Sequence, residues 1–600
     1  MSTFGDLLKY LKIYRRYLGR RMYLIFALTV ATAFASSFGI TLLLPLLRAS
    51  QTGGGQAEDM GTAERYLQAM LETMGIADSM VGILAFIAVV FVAKGVLSFV
   101  KGSYKGYLQA QLLRELKVQL FDAYGGMEYR HYIRENTGHF INVINQQVNR
   151  FFGSFNSFIS FLTQIVNAAG YFAFAFAVTW KFASMALGIG LLLLFVFKYL
   201  NAYVRALSRR QSDEMSELNK LLVQGLQSLK YIVSTNQMAH LRSGVVDSVK
   251  RLTGYIFRQN MAQAFTNALK EPASVLLIVG LIALQVAVFN DPVAPIFVAL
   301  LLFHRGMQGL MSVQGNWQRT MDKIGSVEMV DDEFGAVLAH QEDREGRVLS
   351  ALSDGIDFDG VHFAYDEDDG DVLHDINITV PANETVALVG ESGAGKSTLV
   401  DMMTLMLQPR TGTIRVDGVP HDEVDLASWR DQAGYVSQET VVFDDTVANN
   451  ISLWQGDIEE DPALRERIIH AAERAHADHF IRDLPNGYQT VVGDRGVRLS
   501  GGQRQRLFVA RELFKEPNLL LLDEATSDLD SASEQHIQDS IDALKGETTV
   551  VIIAHRLSTV KNADRVYVLD DGRVVEAGSY HELRSRENGE FREMVEMQSL

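Results

Sequence analysis

Residues 390–398 read GESGAGKST, and they stand between the apolar runs TVALV at 385–389 and LVDMMTLML at 399–407. A strand, a glycine-rich loop and a helix in this order bind nucleotide phosphates, because backbone N–H groups and the helix N-terminus point at the anion. Lys396 is predicted to reach the β- and γ-phosphates, and Ser397 to ligate Mg²⁺. The predicted phosphate-binding residues are Gly390, Ser392, Gly393, Gly395, Lys396, Ser397 and Thr398. This pattern predicts a nucleotide-binding α/β domain.

A second chemical motif follows the apolar run LLLL at 519–522, which leads directly into Asp523 and Glu524. Such a run is typical of a parallel strand buried on both faces, with its chemistry at the carboxyl end. Asp523 is predicted to hold Mg²⁺. Glu524, on the other face of the strand, is predicted to act as general base towards the attacking water. The alternative is that both are ordinary strand-end carboxylates.

The pentapeptide LSGGQ at 499–503 resembles the signature of the ATP-binding cassette (ABC) ATPases. Other parts of that family's pattern stand in order along the chain: Tyr365, Gln438 in YVSQ, the run SDLD at 527–530, and His555 in AHR. The resemblance extends over essentially the whole sequence, because an N-terminal membrane domain followed by one cassette is the layout of the half-size exporters of this family.

The resemblance implies that two copies pair head to tail, each signature capping the γ-phosphate held by the other copy. It assigns catalysis to Glu524, His555 and Gln438, and Mg²⁺ to Ser397, Gln438 and Asp523. It assigns the nucleotide to the phosphate loop together with Tyr365, which stacks on adenine, and Ser500, Gly501, Gly502 and Gln503. Asp494 and Asp528 depart from the family pattern without removing a catalytic group. The acidic run 366–369 is expected to be a solvated hairpin tip that points away from the nucleotide.

The first half of the chain carries six apolar stretches, and a span needs roughly 20 apolar residues. The predicted spans are 22–47, 80–100, 151–180, 182–200, 272–290 and 292–318. The sixth is weaker, because His304 and Arg305 interrupt it. The fold class predicted is a six-span α-helical membrane domain plus an α/β P-loop ABC ATPase domain, in a homodimeric exporter. The predicted divisions are an interfacial helix at 1–21, a transmembrane domain at 22–325, a linker at 326–354 and the nucleotide-binding domain at 355–600.

Basic residues predict the orientation, because Lys and Arg stay on the cytoplasmic side. Residues 1–21 carry six of them, the loop 101–150 seven and the loop 201–262 nine. Both termini are therefore predicted in the cytoplasm, in a multi-pass protein of the inner (plasma) membrane. Four Lys against 20 Arg after residue 330, together with 54 acids, indicate a bacterial source. The two long loops are predicted to be helical hairpins whose tips, 128–138 and 225–237, touch the cytoplasmic domain.

Charge and composition exclude several classes of function. The net charge of −17 divides into +13 for residues 1–330 and −30 for residues 331–600, so the second half is a poor nucleic-acid binder. The chain has no Cys, which excludes disulfides, thiolate metal sites and cysteine nucleophiles. With 48% hydrophobic residues it is not a disordered protein.

Charged residues within spans are costly and usually face a cavity or a partner. The predicted substrate path comprises Lys94, Lys270, His304 and Arg305. These side chains favour an anionic head group. With LLPLL at 43–47 and LFHR at 302–305, this half also resembles exporters that flip lipid-linked oligosaccharides. The best hypothesis is therefore ATP-driven export or flipping of an anionic glycolipid. A multidrug or peptide exporter, and an ATP-gated channel or regulator, remain the alternatives.

Overall fold

The protein is described by a computed structural model that covers residues 3–50, 62–77, 79–135, 137–178, 217–284, 293–366, 370–493, 496–524, 531–554, 556–557 and 559–598, with isolated positions between 184 and 215. The chain divides into two compact units. The first unit comprises Met1–Gly125 and Asn136–Ala339, and the second comprises Gly126–Glu135 and His340–Leu600. The predicted linker 326–354 is thus shared between the two units.

The N-terminal part of the chain is helical. Its bounded helices are α1 (Thr3–Leu18), α2 (Arg21–Thr41), α3 (Leu43–Ser50), α4 (Thr62–Thr73), α5 (Met80–Gly125), α6 (Tyr129–Arg134), α7 (Thr137–Asn142), α8 (Val148–Val178), α9 (Leu229–Ser234), α10 (Met238–Leu284), α11 (Val293–Met321) and α12 (Ile324–Ala339). A π-helical turn, Val143–Gln147, joins α7 to α8. Helix α6 belongs to the second unit, as expected for the first loop tip, whereas α9, at the second tip, belongs to the first.

Three of the described helical stretches are long and apolar enough to cross a membrane, namely Arg21–Leu46, Met80–Gly125 and Thr137–Ala177. They cover three of the predicted spans. The predicted span 182–200 lies outside the described residues except at Ser184 and Gly188. The stretch 272–290 falls on the end of α10 as far as Leu284, and 292–318 falls within α11. Helix α5 continues well past its apolar part, as predicted for loop 101–150.

The helices of the first unit pack through apolar side chains, with α8 along α11 and α2 against both α5 and α8. Helix α2 also buries a stripe of hydroxyl side chains, each of which donates to a carbonyl three or four residues earlier. These hydroxyls are Thr29, Thr32, Ser36, Ser37 and Thr41. Their hydrogen-bonding capacity is met inside the helix, as a low-dielectric environment requires.

Helix α1 differs in part from the interfacial helix predicted for residues 1–21. Tyr14 is fully buried: its hydroxyl donates to Ser154 Oγ at 2.9 Å, and its ring lies 5.0 Å from that of Phe158. Tyr17 donates to Asp331 Oδ1 at 3.0 Å. Part of the apolar surface of this helix is therefore covered by α8 and α12 rather than left for the membrane interface. Hydrophobic periodicity shows that a helix has an apolar face, but it does not show what covers that face.

The second unit contains two sheets. Its strands are β1 (Gly355–Phe363), β2 (Leu373–Pro381), β3 (Thr385–Gly390), β4 (Thr411–Val416), β5 (Val419–Pro420), β6 (Ala433–Val436), β7 (Leu519–Asp523), β8 (Thr549–Ile553), β9 (Arg565–Asp570) and β10 (Arg573–Gly578). The antiparallel sheet has the order β2-β1-β4-β5, and the larger sheet has the order β10-β9-β3-β8-β7-β6. Strands β3 and β7 both run parallel to β8, which lies between them. The phosphate loop and Asp523 therefore end at the same edge of the sheet.

Helices cover the larger sheet and build a helical subdomain. They are α13 (Lys396–Met403), α14 (Leu426–Asp431), α15 (Val447–Ser452), α16 (Pro462–Arg474), α17 (Asp478–Arg482), α18 (Gly501–Phe514), α19 (Ser531–Asp542), α20 (Tyr580–Ser585) and α21 (Glu590–Gln598). Two apolar clusters form the core, one around β3, β7 and α18 and the other between the two sheets. The continuous runs that predicted β3 and β7 are buried at almost every position.

Candidate nucleotide site and membrane path

The phosphate loop has the geometry expected from its sequence. The Lys396 ammonium is buried and donates to the carbonyls of Gly390 at 2.9 Å and Glu391 at 2.7 Å. Gly395 caps α13 with φ +94°, and a Cβ there would lie 2.5 Å from Leu373 Cδ2. No residue other than glycine fits this position without a shift. The loop residues thus form a tight cradle with a cation at its base, which suits the polyphosphate of ATP.

Charge at this site is balanced by two consecutive carboxylates at the carboxyl end of β7. Burial lowers the pKa of Lys396, while the nearby Glu524 and Asp523 act in the opposite direction. Asp523 is buried at the end of β7. Ser397 is exposed at the start of α13, as a ligand for an incoming Mg²⁺ requires. Ser397 and Asp523 are the side chains here whose oxygens fit a hard cation with nucleotide oxygens.

Gln438 and Glu524, which are 86 residues apart in sequence, meet directly. Gln438 Nε2 donates to Glu524 Oε2 at 2.7 Å. Glu524 has φ +49°, an uncommon conformation for a residue with a side chain, and one associated with functional sites. The sequence predicted both residues for the chemistry at the γ-phosphate, and the structure places them in contact.

Tyr365, the predicted adenine contact, is held from two sides. Its hydroxyl lies 2.9 Å from Thr398 Oγ1 of the phosphate loop. Its carbonyl accepts from Arg130 Nε at 2.7 Å and from an Arg134 Nη at 3.3 Å, both on α6. Arg134 also forms an ion pair with Asp366. The first residue of the acidic run is therefore engaged by the loop tip while its side chain stays 51% exposed, and the expectation that the run points away from the nucleotide stays a prediction. Residues 367–369 lie outside the described part.

The signature begins α18. The Ser500 hydroxyl accepts from Gln503 N at 3.2 Å, and Gln503 Oε1 accepts from Ser500 N at 2.9 Å, so the two residues form a capping box. A Cβ on Gly501 would meet nothing within 4 Å in the part of the chain that the structure describes. The glycine is therefore not required by packing within the chain. His555, the run 527–530 and Asp494 lie outside the described residues.

Comparison with known proteins decides the family. Residues 22–311 match the family described as ABC transporter transmembrane region, and residues 373–527 match the family described as ABC transporter. The chain belongs to the ABC transporter family. It is a fused half-transporter with a membrane domain and an ATP-hydrolysing cassette, as the sequence predicted.

Curated relatives of this ABC transporter match along most of their length. The ATP-dependent lipid A-core flippase of Chromohalobacter salexigens is 32% identical over 84% of this chain and 86% of its own. The heterocyst differentiation ATP-binding protein HepA of a Nostoc species is 31% identical over 80% of this chain and 78% of its own. Among solved structures, a bacterial Atm1-family ABC exporter with ATP bound superposes with a TM-score of 0.75 at 25% identity, over 97% of this chain and 99% of that one.

Two residues that the sequence motifs did not identify support the nucleotide site of this transporter. Asp401, five residues after Lys396 on α13, accepts from the Tyr435 hydroxyl at 3.3 Å, and burial raises its pKa to about 6. Arg511 on α18 is buried and donates to the carbonyls of Asn450 and Val441, each at 2.7 Å. Arg511 thus ties the helix after the signature to the segment after Gln438. Asp401 could have been found from the sequence, because it is the single charged residue in the apolar run 399–407. The sequence around Arg511 carries no comparable signal.

The predicted substrate path is described in part. Lys94 lies 5.2 Å from the Phe91 ring centroid, and its charge interacts with that of Arg305 on α11. His304 Nε2 lies 2.9 Å from Gln308 Nε2. The Lys270 side chain lies outside the described residues. Two further lysines, which the sequence did not single out, extend the set along α5: Lys101 donates to Thr32 Oγ1 at 3.3 Å, and Lys105 donates to Ser160 Oγ at 3.2 Å.

Proposed function

We propose that this ABC transporter uses ATP hydrolysis to flip or export an anionic lipid across the bacterial inner membrane. The observation that carries the proposal is a row of cations along α5. Lys94, Lys101 and Lys105 are seven and four residues apart, so they share one helix face and extend over about 16 Å at about 1.5 Å per residue. Neighbouring charges in this row repel each other, and Lys94 is also repelled by Arg305.

The row lacks compensating acids in the helices around it. No Asp or Glu occurs in the sequences 21–50, 80–114, 137–178 and 293–321, which contain α2, the apolar part of α5, α8 and α11. The partners described for Lys101 and Lys105 are hydroxyls, which offer dipoles and no charge. Lys94 lies in the predicted span 80–100, and Lys101 and Lys105 follow its cytoplasmic end; all three are partly buried. A cation that is partly removed from water is costly unless an anion completes it. A phosphorylated head group supplies that charge.

The relatives' names favour a lipid within this class. A lipid-linked oligosaccharide, the hypothesis from the sequence, is one anionic glycolipid, and the lipid A-core of the relatives' names directs the search to another. The proposal therefore covers lipids with phosphate and sugar in the head group. The proposed membrane topology has six spans in all, with both termini in the cytoplasm. The proposed divisions of the chain are 1–21, 22–325, 326–354 and 355–600.

The nucleotide chemistry is proposed for a homodimer. Lys396, Ser397 and Asp523 of one copy hold Mg-ATP with Gln438, and Tyr365 stacks on the base. Ser500, Gly501 and Gly502 of the second copy approach the γ-phosphate, where the open space beside Gly501 admits a close contact. Glu524 accepts a proton from the attacking water, and His555 contacts the γ-phosphate. Mg²⁺ supplies charge neutralisation of the phosphates when it is bound.

The test is ATP hydrolysis by the full chain in phosphatidylcholine nanodiscs, with and without a phosphorylated glycolipid. We expect severalfold stimulation by the phosphorylated lipid and none by its dephosphorylated counterpart. The double variant Lys94→Gln, Arg305→Gln should lose the stimulation and keep basal turnover, whereas Arg114→Gln, an exposed site on the same helix, should keep both. Glu524→Gln is the control for hydrolysis.

Other outcomes would support the other hypotheses. Equal stimulation by both lipids would contradict recognition of the anion. Stimulation by apolar drugs or peptides alone would favour a multidrug or peptide exporter. ATP-dependent ion conductance with no stimulated turnover would favour a channel or regulator.

A further inference from the structure

Two histidines and a carboxylate converge on the sheet that precedes the phosphate loop. His362 is in β1, His374 is in β2, and Asp371 lies just before β2. One ligand atom from each residue lies within 4.8 Å of the others. His362 Nδ1 is 3.2 Å from Asp371 Oδ2, and the two imidazole centroids are 6.4 Å apart. The nucleotide site uses none of these three side chains.

The spacing fits a tetrahedral metal ion. Bonds of about 2.0–2.1 Å at tetrahedral angles place two ligand atoms about 3.3 Å apart, which is close to the His362–Asp371 separation. The remaining ligand atom lies within 4.8 Å of the other two, so it needs to move by at most about 1.5 Å. All three side chains are partly buried, so an ion here would lose part of its water and keep access to solvent for a fourth ligand. Nitrogen and oxygen donors in this number suit Zn²⁺.

Asp371 is prepared for this role by its neighbours. Arg410 donates to the other oxygen, Oδ1, at 3.2 Å and leaves Oδ2 towards His362. An arginine in this position orients a ligand carboxylate from outside the coordination sphere.

We propose that His362, Asp371 and His374 bind one Zn²⁺ per chain, with water as the fourth ligand. The ion would link the end of β1 to the start of β2 and thereby fix the intervening segment. That segment carries Tyr365, the adenine contact, and Asp366, the partner of Arg134. Zinc at this site therefore constrains the loop where nucleotide and the α6 loop tip both meet the cassette.

The test is direct zinc binding by the full chain in nanodiscs, after treatment with EDTA and titration with Zn²⁺ against a chromophoric chelator. We expect the wild type to bind one Zn²⁺ more per chain than His362→Ala or His374→Ala. Asp371→Asn should weaken that site by about tenfold or more. His479→Ala is the matched control, because this exposed histidine lies away from the cluster and forms an ion pair with Asp483, and the variant should bind as the wild type does.

Two readouts separate a built site from scattered surface binding. Co²⁺ in place of Zn²⁺ should give the visible absorption of tetrahedral coordination, and that absorption should be absent in His374→Ala. Amide hydrogen exchange in residues 362–376 should slow on addition of Zn²⁺. Equal zinc stoichiometry in the wild type and both histidine variants, with basal ATP hydrolysis intact in each, would overturn the proposal.

Discussion

Asp401 is a carboxylate in a place that disfavours its charge. It is largely buried on α13 near Asp523, and its pKa is raised from 3.8 to about 6, chiefly by burial. The folded protein therefore holds this proton more tightly than the unfolded chain does. The cost of ionised Asp401 is fully present above about pH 6 and disappears as the pH falls towards 3.8.

Asp401→Asn should accordingly stabilise the nucleotide-free protein at pH 7.5, by about 1 kcal/mol. The amide oxygen still accepts from the Tyr435 hydroxyl, and the repulsion from Asp523 is gone. The gain should shrink between pH 7.5 and pH 5, because the wild type becomes protonated over that range. Thermal unfolding of both proteins in EDTA at each pH measures the difference. A gain that stays constant with pH would contradict the raised pKa.

Arg511 stabilises the cassette through long-range hydrogen bonds. It donates to Asn450 Oδ1 at 2.9 Å as well as to two carbonyls, and its guanidinium lies 5.0 Å from the Phe443 ring centroid. Burial lowers its pKa to about 10, which is still high enough for the side chain to stay charged at neutral pH. Removing it leaves several buried acceptors without a donor.

We expect Arg511→Ala to lower the free energy of unfolding of the cassette by about 3 kcal/mol. Unfolding of the full chain in urea, followed by tryptophan fluorescence, reports the change because Trp429 and Trp454 both lie in the cassette. The control is Arg467→Ala, which removes an exposed guanidinium 4.4 Å from the Phe514 ring centroid and should cost under about 1 kcal/mol. Similar losses of unfolding free energy in the two variants would show that the buried hydrogen bonds of Arg511 stabilise the cassette no more than an exposed guanidinium does.

At the scale of elements, α6 is a short helix whose basic side chains hold the backbone at Tyr365 and the side chain of Asp366. Its neighbours fix it to the rest of the second unit: Glu128 N donates to the His340 carbonyl at 2.8 Å, and Glu342 N donates to the Gly126 carbonyl at 3.0 Å. Glu342 is itself paired with both terminal nitrogens of Arg430 at 2.8 Å. The loop tip and the segment after α12 are thus joined to each other by backbone hydrogen bonds within the second unit.

This arrangement predicts that Arg130→Ala raises the ATP concentration for half-maximal hydrolysis about threefold to tenfold, the effect of losing one hydrogen bond of about 1 kcal/mol at Tyr365. Lipid-stimulated turnover should fall further than basal turnover, because α6 connects to the membrane helices on both sides. Arg130→Lys should retain part of the affinity for ATP.

Arg134→Asp should weaken the stimulation of ATP hydrolysis by lipid, and adding Asp366→Arg to that variant should restore it. Stimulation unaffected by Arg134→Asp would exclude this ion pair from coupling.

The sequence predicted those elements whose signals are local. The glycine-rich loop, the two apolar strands and the long helix α5 each carry their pattern within a single segment, and parallel strand order then brings Lys396 to Asp523 and Glu524. It did not predict the partner of Asp366 or the cover of Tyr14, because each depends on residues over 130 positions away along the chain. Amphipathic periodicity and charge runs show which face of a segment is apolar or charged. They do not show which distant segment packs against that face.

At the scale of the whole molecule, the proposed homodimer makes each ATP site from two chains. In that arrangement Lys396 and Gly501 act at the same site only when they come from different copies. The alternative is a site completed within one chain. The open space beside Gly501 allows a bulky variant there to fold, so the two arrangements are separable by combining variants in dimers of differently tagged chains.

A dimer of one Lys396→Ala chain and one Gly501→Glu chain should hydrolyse ATP, because Lys396 of the second chain faces the intact signature of the first. A dimer of wild type with the doubly substituted chain Lys396→Ala, Gly501→Glu should be inactive, because each composite site then carries one substitution. Sites within single chains predict the reverse: the first dimer inactive and the second active through its wild-type chain. Tandem affinity purification followed by ATPase assay measures both, and since the two dimers contain the same substitutions in total, misfolding cannot produce the difference in ranking.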